Sequence, residues 1–314
     1  MSFGRPYVMG ISGCIHDGWL VLSPKKPISS DFFYHILGSK DLYAKFMQLA
    51  AGATVKNLNI DLVKGVEVVL PPLDEQRRIA AILDQADDLH RGRQEALAQL
   101  GMLPQSILSE TFGDPILNPH GFPIVPLEQV INPKRPITYG ILMPGPHLED
   151  GVPYIRVVDI QDGTIEAGTV RNTSLAIASQ YKRSELVKGD ILISIRGHVG
   201  RLAIVPSELD GANITQDTAR LAVTGAEPIF VKSLLETQQA KSWMDRRTKG
   251  AAVKGLNLGD LRQLPIMLPP LESQCAFADV IGEIDRLKAR HHAHLVHLDG
   301  LFASLQHRAF RGEL

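Results

Sequence analysis

Two stretches of this chain place apolar residues at the spacing of an α-helix, and both begin at the same kind of boundary. The first runs Ile79, Ile82, Ala86, Leu89, Arg93, Leu97, Leu100, Leu103 and Ile107. The second runs Phe277, Val280, Ile284, Leu287, His291, His294/Leu295, Leu298, Leu301/Phe302 and Leu305. Steps of three and four put such residues on one stripe, as in a coiled-coil seam. Each stretch follows a double proline, Pro71-Pro72 or Pro269-Pro270. Proline drives its predecessor out of the α region but is tolerated in a first helical turn, so each pair separates an extended segment from a helix. Asp74, Glu75 and Glu272 then fall in first turns, where the helix dipole favours anions. The first helix should run for about 30 residues or more and bend or break near Pro104, because an interior proline costs roughly 3 kcal/mol. Neither stripe is wide enough to enter a large core. The two are therefore expected to pack on each other, antiparallel, with Leu89, Leu97, Leu100, Leu287, Leu295 and Leu298 at the interface.

Between them, residues 115–271 read as a mixed, β-rich domain. Strand-like runs occur at Val152–Ile160, Asp190–Ile195, Leu202–Val205 and Ala219–Val223. Turn signals such as Asp162-Gly163, Lys188-Gly189-Asp190 and Asp210-Gly211 separate them. One helix is expected over Ile229–Arg247.

The chain also contains itself twice. At a constant offset of 198, residues 52–114 and 250–312 share 19 identities in 63 positions. GATVKNLN and LPPLDEQ in the first copy answer GAAVKGLN and LPPLESQ in the second. Stacking solenoids repeat every ~20–50 residues, so this is a duplicated domain. Pro27–Leu49 matches the Ile229–Arg247 helix, and Gly13–Leu22 matches the segment around Gly211–Arg220. The second copy carries 96 residues (115–210) ahead of Gly211 and the first only 12 ahead of Gly13, so MSFGRPYVM reads as the interior of a domain. The expected organisation is the end of a first domain (1–72), a spacer helix (73–113), a complete second domain (114–271) and a second spacer helix (272–314).

Bulk properties narrow the class without choosing a function. The 314 residues are 44% hydrophobic and 21% charged, enough for ordinary cores in about two domains. Cys14 and Cys275 cannot form a disulfide framework, and the first thirty residues lack a basic segment followed by an apolar one. That points to the cytoplasm, and no window approaches the ~18 apolar residues of a membrane span. A formal net charge of −1 means that any surface for a polyanion must be a local patch.

VPYIRVVDIQDGTI (152–165), KGDILISIRGHVGRLAIVP (188–206), NITQDTARL (213–221), the KGLN and LPPLESQ elements, and their first-copy partners GCIHDGWLVL (13–22), VKNLN and LPPLDEQRRIAAILDQAD resemble the specificity subunit of type I restriction-modification enzymes. The match covers essentially the whole chain. It implies α/β (mixed α+β) target-recognition domains joined by long antiparallel helices. Each domain reads half of a split site in double-stranded DNA. The helices hold the domains apart and dock modification (methyltransferase) subunits, and through them restriction subunits, with no membrane involved. It also implies that methyl transfer and cleavage reside in other subunits.

Candidate DNA contacts follow. Lys241, Arg246, Arg247, Lys249 and Lys254 face only Asp245 in sequence, a run suited to phosphates, although cations at a helix end also complement its dipole. Arg196 sits where a strand gives way to a Gly-bounded loop with His198 and Arg201 nearby. Arginine is the usual reader of guanine edges, though a structural hydrogen bond would also explain it. Arg156, Lys182 and Arg183 are further candidates. His291, His294 and His297 recur at steps of three, but Arg93, Ala96 and Gln99 hold the matching first-copy positions; seam polarity that sets register explains them better than a metal. No cofactor is expected: there is no GxxxxGK(S/T) loop, no HExxH and no Asn/Asp-Pro-Pro-aromatic motif. Asp159, Asp162 and Asp190 read as turn and strand-edge residues rather than a nuclease centre. Two rival readings are a defective subunit that assembles but reads one half-site, and an enzyme with an unrecognised nuclease site.

Overall fold

A computed structural model describes residues 4–16, 18–50, 60–115, 117–250 and 254–313. Helices α1 (Ser30–Leu37), α2 (Lys40–Leu49), α3 (Ile60–Lys64) and α4 (Leu73–Phe112) come first. Strands β1 (Ile124–Pro126), β2 (Thr138–Tyr139), β3 (Val152–Ile155), β4 (Ile160–Gln161), β5 (Thr164–Ile165) and β6 (Arg171–Thr173) lead to α5 (Leu175–Gln180). Then follow β7 (Ile191–Ser194), β8 (Leu202–Ile204), β9 (Asn213–Ile214), β10 (Thr218–Leu221), α6 (Pro228–Leu235), α7 (Gln238–Arg247), α8 (Leu258–Arg262), β11 (Pro265–Met267) and α9 (Leu271–Arg311). Two compact units result, Met1–Gln99 with Leu287–Leu314, and Leu100–Arg286. The repeat cores GATVKNLN and GAAV fall wholly or mostly on residues 51–59 and 251–253, outside the described residues.

In the second unit a sheet ordered β2-β10-β7-β8 is antiparallel throughout, and a sheet β6-β3-β9 joins β3 to β9 in parallel. β7 explains the first sheet's place. Ile191 and Ile193 point into one apolar cluster with Phe230, Leu234 and Phe277, while Leu192 points into another with Ile155, Ala203 and Ile214. A strand covered on both faces needs a continuous apolar run, which Ile191, Leu192 and Ile193 provide, and the buried Ser194 that ends it has its hydroxyl bonded to the His198 carbonyl and the Arg201 amide.

The helix expected over Ile229–Arg247 is two helices. Thr237 ends α6 by donating to the Leu234 carbonyl at 2.7 Å and caps α7 by accepting from the Ala240 amide at 3.2 Å. The first unit repeats the device at the same offset: Ser39 donates to Ile36 at 2.8 Å and accepts from Leu42 at 3.3 Å, between α1 and α2. A hydroxyl that satisfies both ends breaks a helix that hydrophobic spacing alone would continue.

Conversely, α4 does not end at Pro104 but continues to Phe112. Tertiary packing outweighs the lost backbone bond: Leu108 and Phe112 are buried in the second unit's core beside Leu100 and Ile107, and Gln105 Nε2 donates to the Ser233 carbonyl at 3.0 Å.

Each unit pairs its stretches of α4 and α9 antiparallel. In the first, Ile79, Ala80 and Leu83 pack with Phe302, Leu305, Ala309 and Phe310, while Arg93 meets His291. In the second, Phe112 lies 5.8 Å from Phe277 and 5.1 Å from Phe230, ring to ring. Subtracting the repeat offset turns Phe230 and Phe277 into Phe32 and Ile79; adding it turns Phe112 into Phe310, and Phe32 and Phe310 rings stand 5.8 Å apart. The packed stripe differs by one residue from the expected one in places. Leu83 is buried, whereas Leu89 is 61% exposed; His90 takes the inward place and meets Asp299 at 2.9 Å. In α9, Ile281 is buried and Val280 exposed. A seam extended in fixed alternating steps drifts around a real helix of 3.6 residues per turn. Leu97, Leu100, Leu287, Leu295 and Leu298 are half-buried. Gly13–Leu22, matched in sequence to the β9–β10 segment, forms no strand among its described residues and is exposed.

Candidate nucleic-acid interface

The end of β7 is fixed from two sides. Arg196 bridges Gly255, Leu256 donates to the Ile195 carbonyl at 2.8 Å, and Gly197 donates to the Lys254 carbonyl at 2.9 Å. Lys249 and Gly255 exchange backbone bonds at 3.0 and 2.9 Å, so the loop after α7 folds back onto the strand. Opposite, Ile141 donates to the Ile214 carbonyl at 2.7 Å and Gln216 to the Ile141 carbonyl at 2.9 Å, which seats Tyr139 beside Gln216. These walls enclose a cleft of about 450 Å³ lined by Tyr139, Arg196, Gln216, Arg247, Lys249, Asn257 and Asp260, among others. Arg196 is exposed and its Nη1 donates to Gln216 Oε1 at 3.3 Å. The Arg247 guanidinium lies 3.8 Å from the Trp243 ring centroid, a cation–π stack that holds a planar donor fork in place.

The structure thus brings Arg196, Arg247 and Lys249 together. Lys182 and Arg183 line a neighbouring depression, and the Arg183 guanidinium lies 5.7 Å from the Tyr139 ring centroid. Lys241 and Arg246 are exposed on α7 and do not line the cleft. His198 is exposed, and its carbonyl accepts from the Ser194 hydroxyl. Lys254 is exposed, with its backbone committed to Gly197. Arg156 makes two bonds to the Asp159 carboxylate at 2.9 and 2.6 Å, and Arg201 donates to the carbonyls of Val157 and Ile160 at 3.3 and 3.4 Å; both are tied up within the fold. Tyr139, Gln216 and Asn257 join the cleft as lone polar side chains from separate segments. Two of them fall within motifs quoted from the sequence, Gln216 in NITQDTARL and Asn257 as the last residue of KGLN, while Tyr139 falls in none.

The candidate carboxylates are occupied by structure. Asp159 accepts from the Arg156 amide at 2.8 Å and Asp190 from the Val187 amide at 2.8 Å, while Asp162 takes a positive φ of 48° beside Gly163. Among the described residues no three His, Cys, Asp or Glu side chains are grouped to hold a metal. His291 Nδ1 faces Arg93 Nη1 at 3.4 Å, and partial loss of water, with Arg93 next, holds its imidazole below the usual histidine range. No described helix is long and apolar enough to cross a membrane. The cleft offers fixed hydrogen-bond donors, a tyrosine face and one carboxylate, Asp260. That arrangement suits recognition of a flat, polar-edged, anionic partner.

A fold of mixed α/β units built on paired long helices, with a donor-lined cleft, is a recognition scaffold. The type I restriction modification DNA specificity domain matches residues 7–99 and 145–295, and the chain belongs to that family. It is 31% identical over 313 residues to the EcoBI specificity subunit of Escherichia coli, covering 90% of this chain and 65% of that protein. To the EcoKI specificity subunit, also of Escherichia coli, it is 24% identical, over 94% and 68% of the two chains. The chain thus spans about two thirds of the length of these relatives. Its fold is similar to a chain solved in work on assembly and conformational transition of the type I R-M system (TM-score 0.59, 21% identity, 91% of this chain and 72% of that one). It is also similar to the S subunit of a type I system from M. genitalium (TM-score 0.52, 20% identity, 89% and 72%).

Proposed function

We propose that this chain is a non-catalytic DNA-recognition subunit acting in the cell interior, that its second unit reads bases through the Arg196 cleft, and that its long helices dock modification subunits. The observation that carries the reading is the cleft itself. Separate segments of the second unit, spread between residues 139 and 257, bring Arg196, Gln216, Arg247, Asn257 and Tyr139 to one place, and Arg, Gln and Asn are the side chains that pair bidentately with guanine and adenine edges. Affinity then comes from cations outside the base contacts, Lys241, Arg246 and Lys254 among them.

Salt-titrated binding to specific and scrambled duplexes, with a modification subunit present, tests this. Arg196→Ala should relax preference at one base pair, a loss of ~1–3 kcal/mol. Arg246→Ala should weaken all duplexes alike and lower the salt slope by ~0.9. If Arg196→Ala reduced binding without regard to sequence, base reading by this cleft would be wrong. Cleavage of DNA by the isolated chain with magnesium would overturn the non-catalytic assignment.

A further inference from the structure

A second depression of about 450 Å³ in the second unit is far more basic than the chain, whose formal net charge is −1. Lys134, Arg135, Lys182, Arg183, Arg220 and Arg262 line it against one carboxylate, Glu185. Its walls have little regular structure of their own: one is the approach to β2, the other a single 3-10 turn at Lys182–Ser184. Arg220 of β10 clasps them together. Its Nη1 donates to the carbonyls of Arg183 at 2.9 Å and Glu185 at 3.0 Å, and its Nη2 to that of Pro136 at 3.0 Å. Arg135 adds a second tie, with two bonds to the Asp190 carboxylate at 2.8 and 2.6 Å, and Arg262 donates to the Ile137 carbonyl at 3.2 Å. Three arginines therefore build the cleft. Lys134, Lys182 and Arg183 are exposed on its walls.

The charge here is unbalanced. Arg220 is 2% exposed, its guanidinium donates to three neutral carbonyls, and its Nε–H has no partner. Burial pushes its pKa down and Arg135 pushes the same way; only Asp190, already held by Arg135, opposes them. A buried cation is costly unless an anion offsets it. Lys134, Arg135 and Arg262 fall in none of the motifs that carry the family resemblance; Arg220 stands within NITQDTARL, but neither of the sequence's two DNA-contact clusters includes any of the four.

The geometry points to this cleft as a phosphate site: Lys134 from one wall and Lys182 and Arg183 from the other grip one phosphodiester of the DNA backbone, with Arg220 as the positioning residue that fixes the spacing between them. Several cations converging from two sides suit the several oxygens of a phosphate. The Arg183–Tyr139 contact places this grip next to the base-reading cleft, so it would set the register of the duplex there. This assignment to backbone phosphate rests on the DNA-recognition reading above; the anion chemistry does not.

The test substitutes only exposed side chains, in the full chain: Lys134→Ala, Lys182→Ala and Arg183→Ala, singly and together. With a modification subunit present, each should lower the salt slope of binding by ~0.9 and weaken specific and scrambled duplexes by the same factor. Without DNA, inorganic phosphate should raise the melting temperature of the parent above that in chloride of equal ionic strength, and the triple variant should lose this rise. Phosphate stabilisation without any change in salt slope would overturn the backbone assignment and leave a site for a free anion. Absence of both effects would overturn the site. If the parent bound no duplex at all yet kept a phosphate response that the triple variant lost, the DNA reading would fail while the anion site stood.

Discussion

Gly140 has no room for a side chain: a Cβ there would stand 1.9 Å from the Ile214 carbonyl oxygen. That carbonyl belongs to β9, which pairs in parallel with β3 and cannot step aside cheaply. The close approach is what lets the Ile141 amide donate to the Ile214 carbonyl and the Gln216 amide donate to the Ile141 carbonyl beside Tyr139. Gly140→Ala should therefore destabilise the protein by ~1–3 kcal/mol, as overpacking does, and blunt sequence preference by moving Gln216. An unchanged urea midpoint would show that the approach is not rigid. His291 gives a second residue-level test. Its imidazole is held below the usual range by partial dehydration and then by Arg93, with His294, Arg290 and His292 adding to the effect. The unfolded chain thus binds this proton more readily than the folded one, so stability from this group is present above about pH 6.5 and is lost as pH falls toward the folded value. Arg93→Gln should raise the His291 midpoint in an NMR titration; a midpoint that does not move would remove Arg93 as a cause. Arg196 was legible because it stands in a cationic loop motif. Tyr139 and Gln216 were not, because only the Gly140–Ile214 approach brings their distant segments together.

At the scale of elements, the helix seam was legible in kind but not in every position. Leu83 is fully buried and Leu89 is 61% exposed, although a stepwise stripe chooses the second. The discriminating experiment is a pair of substitutions. Leu83→Asp buries an unpaired charge and should cost several kcal/mol, while Leu89→Asp should change stability by no more than about 0.5 kcal/mol. Equal melting temperatures for the two variants would mean that the first unit's helices pack in another register. Pro104 shows the opposite failing, since a strong local breaker was outweighed by burial of Leu108 and Phe112. Thr237 and Ser39 show a local signal that spacing ignores. Each is a capping hydroxyl inside what looks like one helix, and each wins because it satisfies backbone groups on both sides.

Across the whole molecule, the duplication seen as identical letters recurs as identical physics, and Gln76 and Gln274 show why LPPLxxQ is kept. Gln76 Oε1 accepts from the Ser29 amide at 2.9 Å and its Nε2 donates to the Pro71 carbonyl at 2.8 Å. Gln274 does the same with Glu227 at 2.9 Å and Pro269 at 2.8 Å. Each buried amide thus ties the start of a long helix to the N-cap of a short one, α4 to α1 and α9 to α6, inside its own unit. Removing either side chain orphans a backbone donor, at ~1–3 kcal/mol. Because the two ties share no partner, the costs should fall on different units, and a chain of two units need not unfold in one step. Trp243 is the second unit's only tryptophan, and the chain has just one other, Trp19. In a Trp19→Phe background, the Trp243 fluorescence transition in urea should shift to lower denaturant with Gln274→Ala and stay in place with Gln76→Ala. Far-ultraviolet circular dichroism, which sees every helix, should respond to both. If Gln76→Ala moved the Trp243 transition as far as Gln274→Ala does, the long helices would couple the units into one cooperative fold, and the duplicated ties would act on the molecule as a whole.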